Sequence, residues 1–306
     1  MILTVTLNLA IDVTYRVPRV RLGRTNAVRP PGRRAGGKGV NVARTLHALG
    51  HEVIVTGLAG GLAGASARAE LAASGLTDAT IEIAGESRTT LVVVDDHGVV
   101  TGFSEPGPEV SAEEWARLVA AFRRLVGGAS AVVVSGSAPP GVPRDAYAQL
   151  TRIATDARVP VVLDSSGEPL VRGIEARPAI VKVNADELNE VVDAGDLVSG
   201  AAQLRERGAG AAVISSGPDG LVAVTEDGAW RAAPPEPLVG NPTGAGDAAS
   251  AALAAGLVER TPWPERLVDA AALSAAAVSA PLAGSFDEPT YRRLRREIMA
   301  EEVGRP

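Results

Sequence analysis

The stretch NPTGAGDAASAALAAGL, residues 241–257, passes from a proline and glycine turn straight into a run rich in alanine and leucine, which favour helix. Two glycines and a carboxylate therefore stand at the mouth of a helix. A helix N-terminus presents unpaired N–H groups and the positive end of its dipole, so this turn is a candidate anion site, which its glycines let an anion approach closely. Asp247 falls in the first turn, where a carboxylate is favourable for helix stability alone. A reactive group and a simple cap both fit it at this stage.

Apolar runs bounded by turn residues recur upstream, at 2–8, 52–60, 131–137, 160–166, 179–184, 211–217 and 221–224. Between most of them lie longer patterns of helical period, including 40–50, 111–126 and 144–157. Strands that are apolar on both faces and alternate with helices predict an α/β fold, a mostly parallel central sheet covered on both sides. Two stretches break the rhythm. Residues 12–35 are rich in Arg, Pro and Thr without a helical period, and 80–104 alternate around an Asp-Asp-His-Gly turn, the pattern of a hairpin. Together they predict a small antiparallel β lid on a single domain spanning 1–306.

The chain has 306 residues, 46% of them hydrophobic, and carries a net charge of −6, so it can bury a sizeable core. No basic run is longer than a pair such as Arg33-Arg34, which leaves no footprint for a nucleic-acid backbone. No run reaches the roughly 18 uninterrupted apolar residues of a spanning helix, and the first residues lack a basic leader region, which argues against a membrane segment or signal peptide. With no cysteine, thiolate catalysis, disulfides and sulfur-ligated metals are excluded, and a reducing cytoplasm is the expected setting. The 30 basic residues include two lysines, Lys38 and Lys182. A compact ammonium kept at two places in an arginine-rich chain draws attention to both. Neither lies in GxxxxGK[ST], and the run 37–42 lacks the third glycine of GxGxxG, so neither a Walker ATPase nor a dinucleotide-binding domain fits.

TVTLNLAIDVTY at the start, AGGKGVNVARTLHALG (35–50), VVVSGSAPPGVP (132–143), VLDSSGEPL (162–170), KVNADEL (182–188), SSGPDG (215–220) and NPTGAGD (241–247) occur in that order over nearly the whole chain. As an ordered set they resemble the ribokinase-like, PfkB-type carbohydrate kinases, in particular the branch of 1-phosphofructokinase and tagatose-6-phosphate kinase. Both lysines fall inside these motifs. The resemblance implies a ribokinase-like three-layer sandwich and ATP- and Mg²⁺-dependent phosphorylation of a ketohexose monophosphate. Minor-type 6-phosphofructokinase, ribokinase, a nucleoside kinase and a non-catalytic sugar-phosphate sensor stand as alternatives.

By the same resemblance Asp247 takes the proton of the attacking hydroxyl, and the N–H groups of Gly244, Ala245 and Gly246 hold the transferring phosphoryl group. Phosphoryl transfer needs mainly positioning and charge stabilisation, so a strong base is not required. A carboxyl beside a helix N-terminus is expected to be an even weaker base than usual. Asp12, Gly37, Lys38, Asn41, Arg88 and Ser137 are implied to contact the sugar phosphate, Arg88 reaching the phosphate from the lid. Lys182, Asn184, Ser215, Gly217 and Gly220 are implied on the nucleotide side, with Glu187 serving Mg²⁺ through water. Asn184 and Glu187 also have the spacing of a capping box. Leu9 and Val183 stand where the family usually has proline. His47, His51 and His97 are scattered and read as structural. The lid's edges and face need cover, which predicts a homodimer through it.

Overall fold

In the computed structural model, which describes residues 1–28 and 32–304, the chain opens with β1 (Ile2–Thr6), β2 (Ala10–Val17) and β3 (Gly32–Gly36), then α1 (Lys38–Ala48). There follow β4 (Val53–Gly60), α2 (Gly61–Ala73), β5 (Thr77–Asp78), β6 (Ile81–Ile83), β7 (Arg88–Asp95) and β8 (Val100–Ser104). The middle of the chain supplies α3 (Ala112–Val126), β9 (Ala131–Ser135), α4 (Ala146–Asp156), β10 (Val161–Asp164), α5 (Gly167–Ile174), β11 (Ile180–Asn184), α6 (Ala185–Asn189) and α7 (Leu197–Glu206). The last third is β12 (Ala211–Ser215), β13 (Leu221–Val224), β14 (Ala229–Ala232), α8 (Ala245–Glu259), α9 (Trp263–Val278), α10 (Glu288–Glu297) and β15 (Ala300–Gly304).

The large sheet runs β15-β14-β13-β12-β11-β10-β9-β1-β4-β5, with β6 also on β4. Every pair from β12 to β5 is parallel, and β13, β14 and β15 extend the edge antiparallel. Its central strands are buried on both faces, as in the fully buried AVVVS of β9, because helices cover both sides. Alternate residues divide between two cores: Val133 packs with α1, α8 and α9, whereas Val132 and Val134 pack with α3 and α4. The three layers match the α/β fold predicted from the apolar runs and the three-layer sandwich that the resemblance implies.

The smaller sheet has the order β3-β2-β7-β8. Its outer pairs, β2 with β3 and β7 with β8, are antiparallel, and the β7–β8 turn falls on the Asp-Asp-His-Gly segment. One parallel pair, β2 with β7, joins the two halves. A parallel join needs a long crossover, here β3 to β6. Within the predicted stretch 80–104, residues 81–83 instead pair with β4 of the large sheet. Of the stretch 12–35, residues 29–31 lie outside the described residues. Among the described residues no helix is long and apolar enough to cross a membrane.

The C-terminal end of the parallel strands is where helix α1 and the small sheet meet the body. One backbone contact fixes that end: Gly57 of β4 lies opposite Thr6 of β1, and a Cβ added there would stand 1.9 Å from the Thr6 carbonyl oxygen. Gly57→Ala is expected to destabilise the fold by about 2 kcal/mol or more, since the strands must separate. A urea denaturation midpoint equal to that of the parent chain would contradict this.

Candidate active site

The turn before α8 is built by side chain and glycine together. Thr243 N–H donates to Asn241 Oδ1 at 3.0 Å, and Gly244 takes the left-handed conformation, φ +88°, with Ala283 close by. Helix α8 starts at Ala245. Its N–H is already donated to Pro242 O at 3.1 Å, so of the three N–H groups expected to face an anion those of Gly244 and Gly246 remain. The absent Cβ of Gly246 lets Lys182 approach: one placed there would lie 2.5 Å from Nζ.

Asp247 points into the protein and is buried. Its Oδ2 accepts from Asn41 Nδ2 at 2.8 Å, while Asn41 Oδ1 is buried without a partner and is free to accept from a bound hydroxyl. The carboxyl is pushed up to about 6 by burial and by the charge of Asp164, against the pull of Lys38, the Asn41 hydrogen bond and Lys182. This corrects the expectation of an unusually weak base. The helix terminus was counted from sequence, but removal of water and a second carboxylate outweigh it.

That second carboxylate sits at the end of β10. Asp164 is fully buried; Oδ1 accepts from Lys38 Nζ at 2.9 Å, and Oδ2 accepts from Ser250 Oγ at 2.8 Å with Lys182 Nζ at 3.4 Å. The two lysines of the chain thus converge on one carboxylate. Burial would raise its pKa, but the two ammonium groups and its hydrogen bonds hold it down to about 2. No role was assigned to Asp164 from sequence, although an acidic residue closing an apolar strand in VLDSSG was a signal of a polar site there. Lys38 reaches Asp164 because Gly37 and Gly39 press the start of α1 onto β1; a Cβ on Gly39 would lie 2.3 Å from Thr6 Oγ1.

Glu187 accepts from Lys38 Nζ at 3.3 Å through Oε1 and from Asn184 N–H at 2.9 Å through Oε2, while Asn184 Oδ1 accepts from Glu187 N–H at 2.8 Å. The capping box is therefore formed, and it leaves Oε1 turned to the site. Glu187 and Asp164 are hard oxygen donors converging on one cationic position, a donor set that fits Mg²⁺. Among the described residues no group of three or more His, Cys, Asp or Glu is placed to hold a metal. A cation here would complete its shell with water or a ligand's oxygens.

Asp12, Arg88 and Ser137 gather at the base of the small sheet. Asn8 Nδ2 donates to Ser137 Oγ at 3.1 Å and to Pro106 O at 3.0 Å, and Arg88 Nε donates to Asn8 O at 3.2 Å. Asn8 is thus a organising residue that sequence reading left without a role. Asp12 lies over Gly36, where a Cβ would stand 2.0 Å from Oδ2, and opposite Arg34 in register. Burial raises the Asp12 pKa against the charges of Arg88 and Arg34. Arg34, also missed, donates to Ser285 Oγ at 3.2 Å and is lowered to about 10 by burial.

Ser215, Gly217 and Gly220 line a cavity of about 530 Å³ whose other walls include Val239, Ala275 and Gly246. Mostly apolar walls beside the α8 N-terminus suit a planar base with its phosphates toward the glycines. His97, read as structural, borders this cavity from the β7–β8 turn. A cavity of about 630 Å³ lies at the far end of α8, and among its lining residues His51 stands against Glu259 and Arg295 pairs with Asp269. It is remote from the carboxylate cluster.

The model of the pfkB family carbohydrate kinases matches residues 3–290. Phosphofructokinase-2 from Escherichia coli, in its complex with fructose-6-phosphate, is 28% identical with a TM-score of 0.88, over 97% of this chain and 98% of that one. A Thermotoga maritima protein named as a possible 1-phosphofructokinase is 24% identical with a TM-score of 0.89 over 99% of both chains, and a carbohydrate kinase from Agrobacterium tumefaciens is 19% identical with a TM-score of 0.77 over 99% of both. These last two likenesses show the fold.

The raised Asp247 pKa has a cost in stability. Between about pH 4 and the native value of about 6 the folded chain holds a proton that the unfolded chain has released, so this group's contribution falls as pH rises through that window. Asp164 acts in the opposite sense: with a native value of about 2, its stabilising contribution is lost as pH falls below about 4. Asp247→Asn, which keeps the shape and removes the charge, is expected to stabilise the protein by about 1–3 kcal/mol at pH 8 and by almost nothing at pH 4. Urea unfolding at both pH values checks this; a loss of stability at pH 8 would contradict it.

Proposed function

The chain belongs to the pfkB family of carbohydrate kinases, and from that premise we propose that it transfers the γ-phosphoryl group of ATP to the free primary hydroxyl of a ketohexose monophosphate, of the 1-phosphofructokinase or tagatose-6-phosphate kinase type. The observation that carries this reading is the position of Asp247. It is a buried carboxyl with a raised pKa, oriented by Asn41, at the N-terminal turn of α8, whose Gly246 borders the apolar cavity.

Asp247 accepts the hydroxyl proton as the sugar oxygen bonds to phosphorus and the bond from phosphorus to ADP breaks; the proton then passes to solvent. N–H groups of Gly244 and Gly246, at the positive end of α8, hold the transferring group. Asp12 and Asn41 Oδ1 accept from sugar hydroxyls, with Ser137 beside them. The guanidinium of Arg88, held by Nε and Nη1 on Asn8 O, Ser104 Oγ and Glu105 O, presents Nη2 to the substrate's phosphate. Lys38, one residue beyond Gly37, and Lys182 supply positive charge near the phosphates. Ser215, Gly217 and Gly220 border the base, and Asn184 holds Glu187 toward the metal position. Mg²⁺, when bound, neutralises the nucleotide phosphates. The small sheet acts as a lid that excludes water from the transfer. Its exposed Val99 and Phe103, 58% and 59% accessible, support a homodimer formed through that sheet. The cytoplasm, where ATP and phosphosugars occur together, is the proposed setting.

ADP release from Mg-ATP with fructose 1-phosphate, tagatose 6-phosphate, fructose 6-phosphate and free fructose tests this reading. Turnover is expected on a phosphosugar, to be reduced at least about a thousandfold in Asp247→Ala, and to decline as pH falls through about 6. Arg88→Ala is expected to raise KM for the phosphosugar by about 10–100-fold. Turnover on free fructose alone, or an unchanged KM in Arg88→Ala, would sink the phosphosugar assignment.

A further inference from the structure

The two ammonium groups on Asp164 are not equivalent. Lys182 Nζ stands 3.4 Å from Oδ2 with its side chain 4% exposed, and Gly246 packs against its tip. Lys38 Nζ stands 2.9 Å from Oδ1 and 3.3 Å from Glu187 Oε1, and its side chain is 36% exposed. Two carboxylate oxygens, one from the end of β10 and one from α6, therefore converge on a single cation that solvent can reach. An ammonium between two hard oxygen donors occupies the place that a divalent cation of the same reach would take.

We propose that Lys38 is the resident counter-ion of the Asp164–Glu187 pair, displaced when a divalent cation binds and thereby released toward the anionic substrates. This rests on the reading of the site as a Mg-ATP-dependent kinase. The charge balance supports it. With Asp164, Glu187 and Asp247 ionised, three negative charges face two positive ones, Lys38 and Lys182. A divalent cation added beside a retained Lys38 would face like charge at close range, a repulsion removed when the flexible lysine stem swings out. Lys182 has no such freedom. The released ammonium is then available to phosphate oxygens only once the metal is in place, which couples metal occupancy to capture of the phosphorylated substrates.

The lysine content makes this directly observable. A full-length, nucleotide-free protein labelled with ¹³C and ¹⁵N in lysine has two side-chain signals, from Lys38 and Lys182. On titration with Mg²⁺ the Lys38 signal is expected to move to the position of free lysine while that of Lys182 holds. Lys38→Met is expected to bind Mn²⁺, followed by electron paramagnetic resonance, at least about tenfold more tightly than the parent chain, and Lys38→Met/Glu187→Gln to lose that gain. A Lys38 signal that stays in place through the titration, or a Lys38→Met protein that binds Mn²⁺ no more tightly, would overturn the proposal. Should Lys38→Met fail to fold, the titration of the parent chain decides alone. ADP release is measured separately: Lys38 displacement without turnover sinks the kinase reading and leaves the exchange standing, and turnover with Lys38 unmoved does the reverse.

Discussion

Asp164 is the constraint around which the end of the sheet is arranged. A carboxylate with no exposed surface loses the hydration that an ion requires, a penalty of several kcal/mol even after the protein relaxes. Two lysines and a serine replace the lost water, and each comes from a different part of the chain: α1, β11 and α8. The ion pairs are poor devices for stability, because an apolar side chain of similar volume would avoid the desolvation altogether. They do fix where three elements meet. They also act on the neighbouring Asp247, whose proton affinity is raised first by burial and then by the charge of Asp164, with the two lysines opposing.

Glycines make this convergence sterically possible. Gly39 allows the first turn of α1 to press on β1, Gly246 allows the first turn of α8 to press on Lys182, and Gly36 leaves room for the Asp12 carboxylate. In each case the substituent that is missing would collide with an atom of another element at 2.5 Å or less. The glycine-rich runs are therefore close-approach positions around charged groups, and the turns they make are secondary to that.

Much of the fold was legible in the sequence because it rests on local pattern. Runs such as AVVVS are apolar on both faces, as a covered parallel sheet requires, and the alanine-rich segment that begins within GAGD starts a helix at Ala245 as expected. The polar site was legible in part. Its ordered motifs picked out Asp247, Asn41 and both lysines, but which of them touch is decided by tertiary packing. The Asn41 amide pairs with a residue 206 positions away, and Lys38 with one 126 positions away. The same holds for the proton affinity of Asp247. A helix terminus can be read from a sequence, whereas burial and the charge of Asp164 depend on how β10 and α8 meet. The Ala245 N–H was lost to a Pro242 carbonyl for the opposite reason, a tight local turn whose hydrogen bond consumes a group that the motif alone leaves free.

The small sheet links the two halves of the site mechanically. Strand β7 carries Arg88 at one end, bonded to the Asn8 carbonyl beside Ser137, and runs on to the turn whose His97 borders the apolar cavity with Ser215 and Gly217. Its eight residues span about 25 Å at the usual rise of a strand. Because β7 is paired on both sides, with β2 and with β8, it moves as part of a sheet and not as a loose loop. The His97 turn at the apolar cavity and Arg88 beside Asn8 are thus two ends of one paired strand. The parallel β2–β7 pair, which the local hairpin pattern did not disclose, is the element that makes this sheet one body: Asp12 and Arg88 stand on its two strands, and neither can leave the site alone.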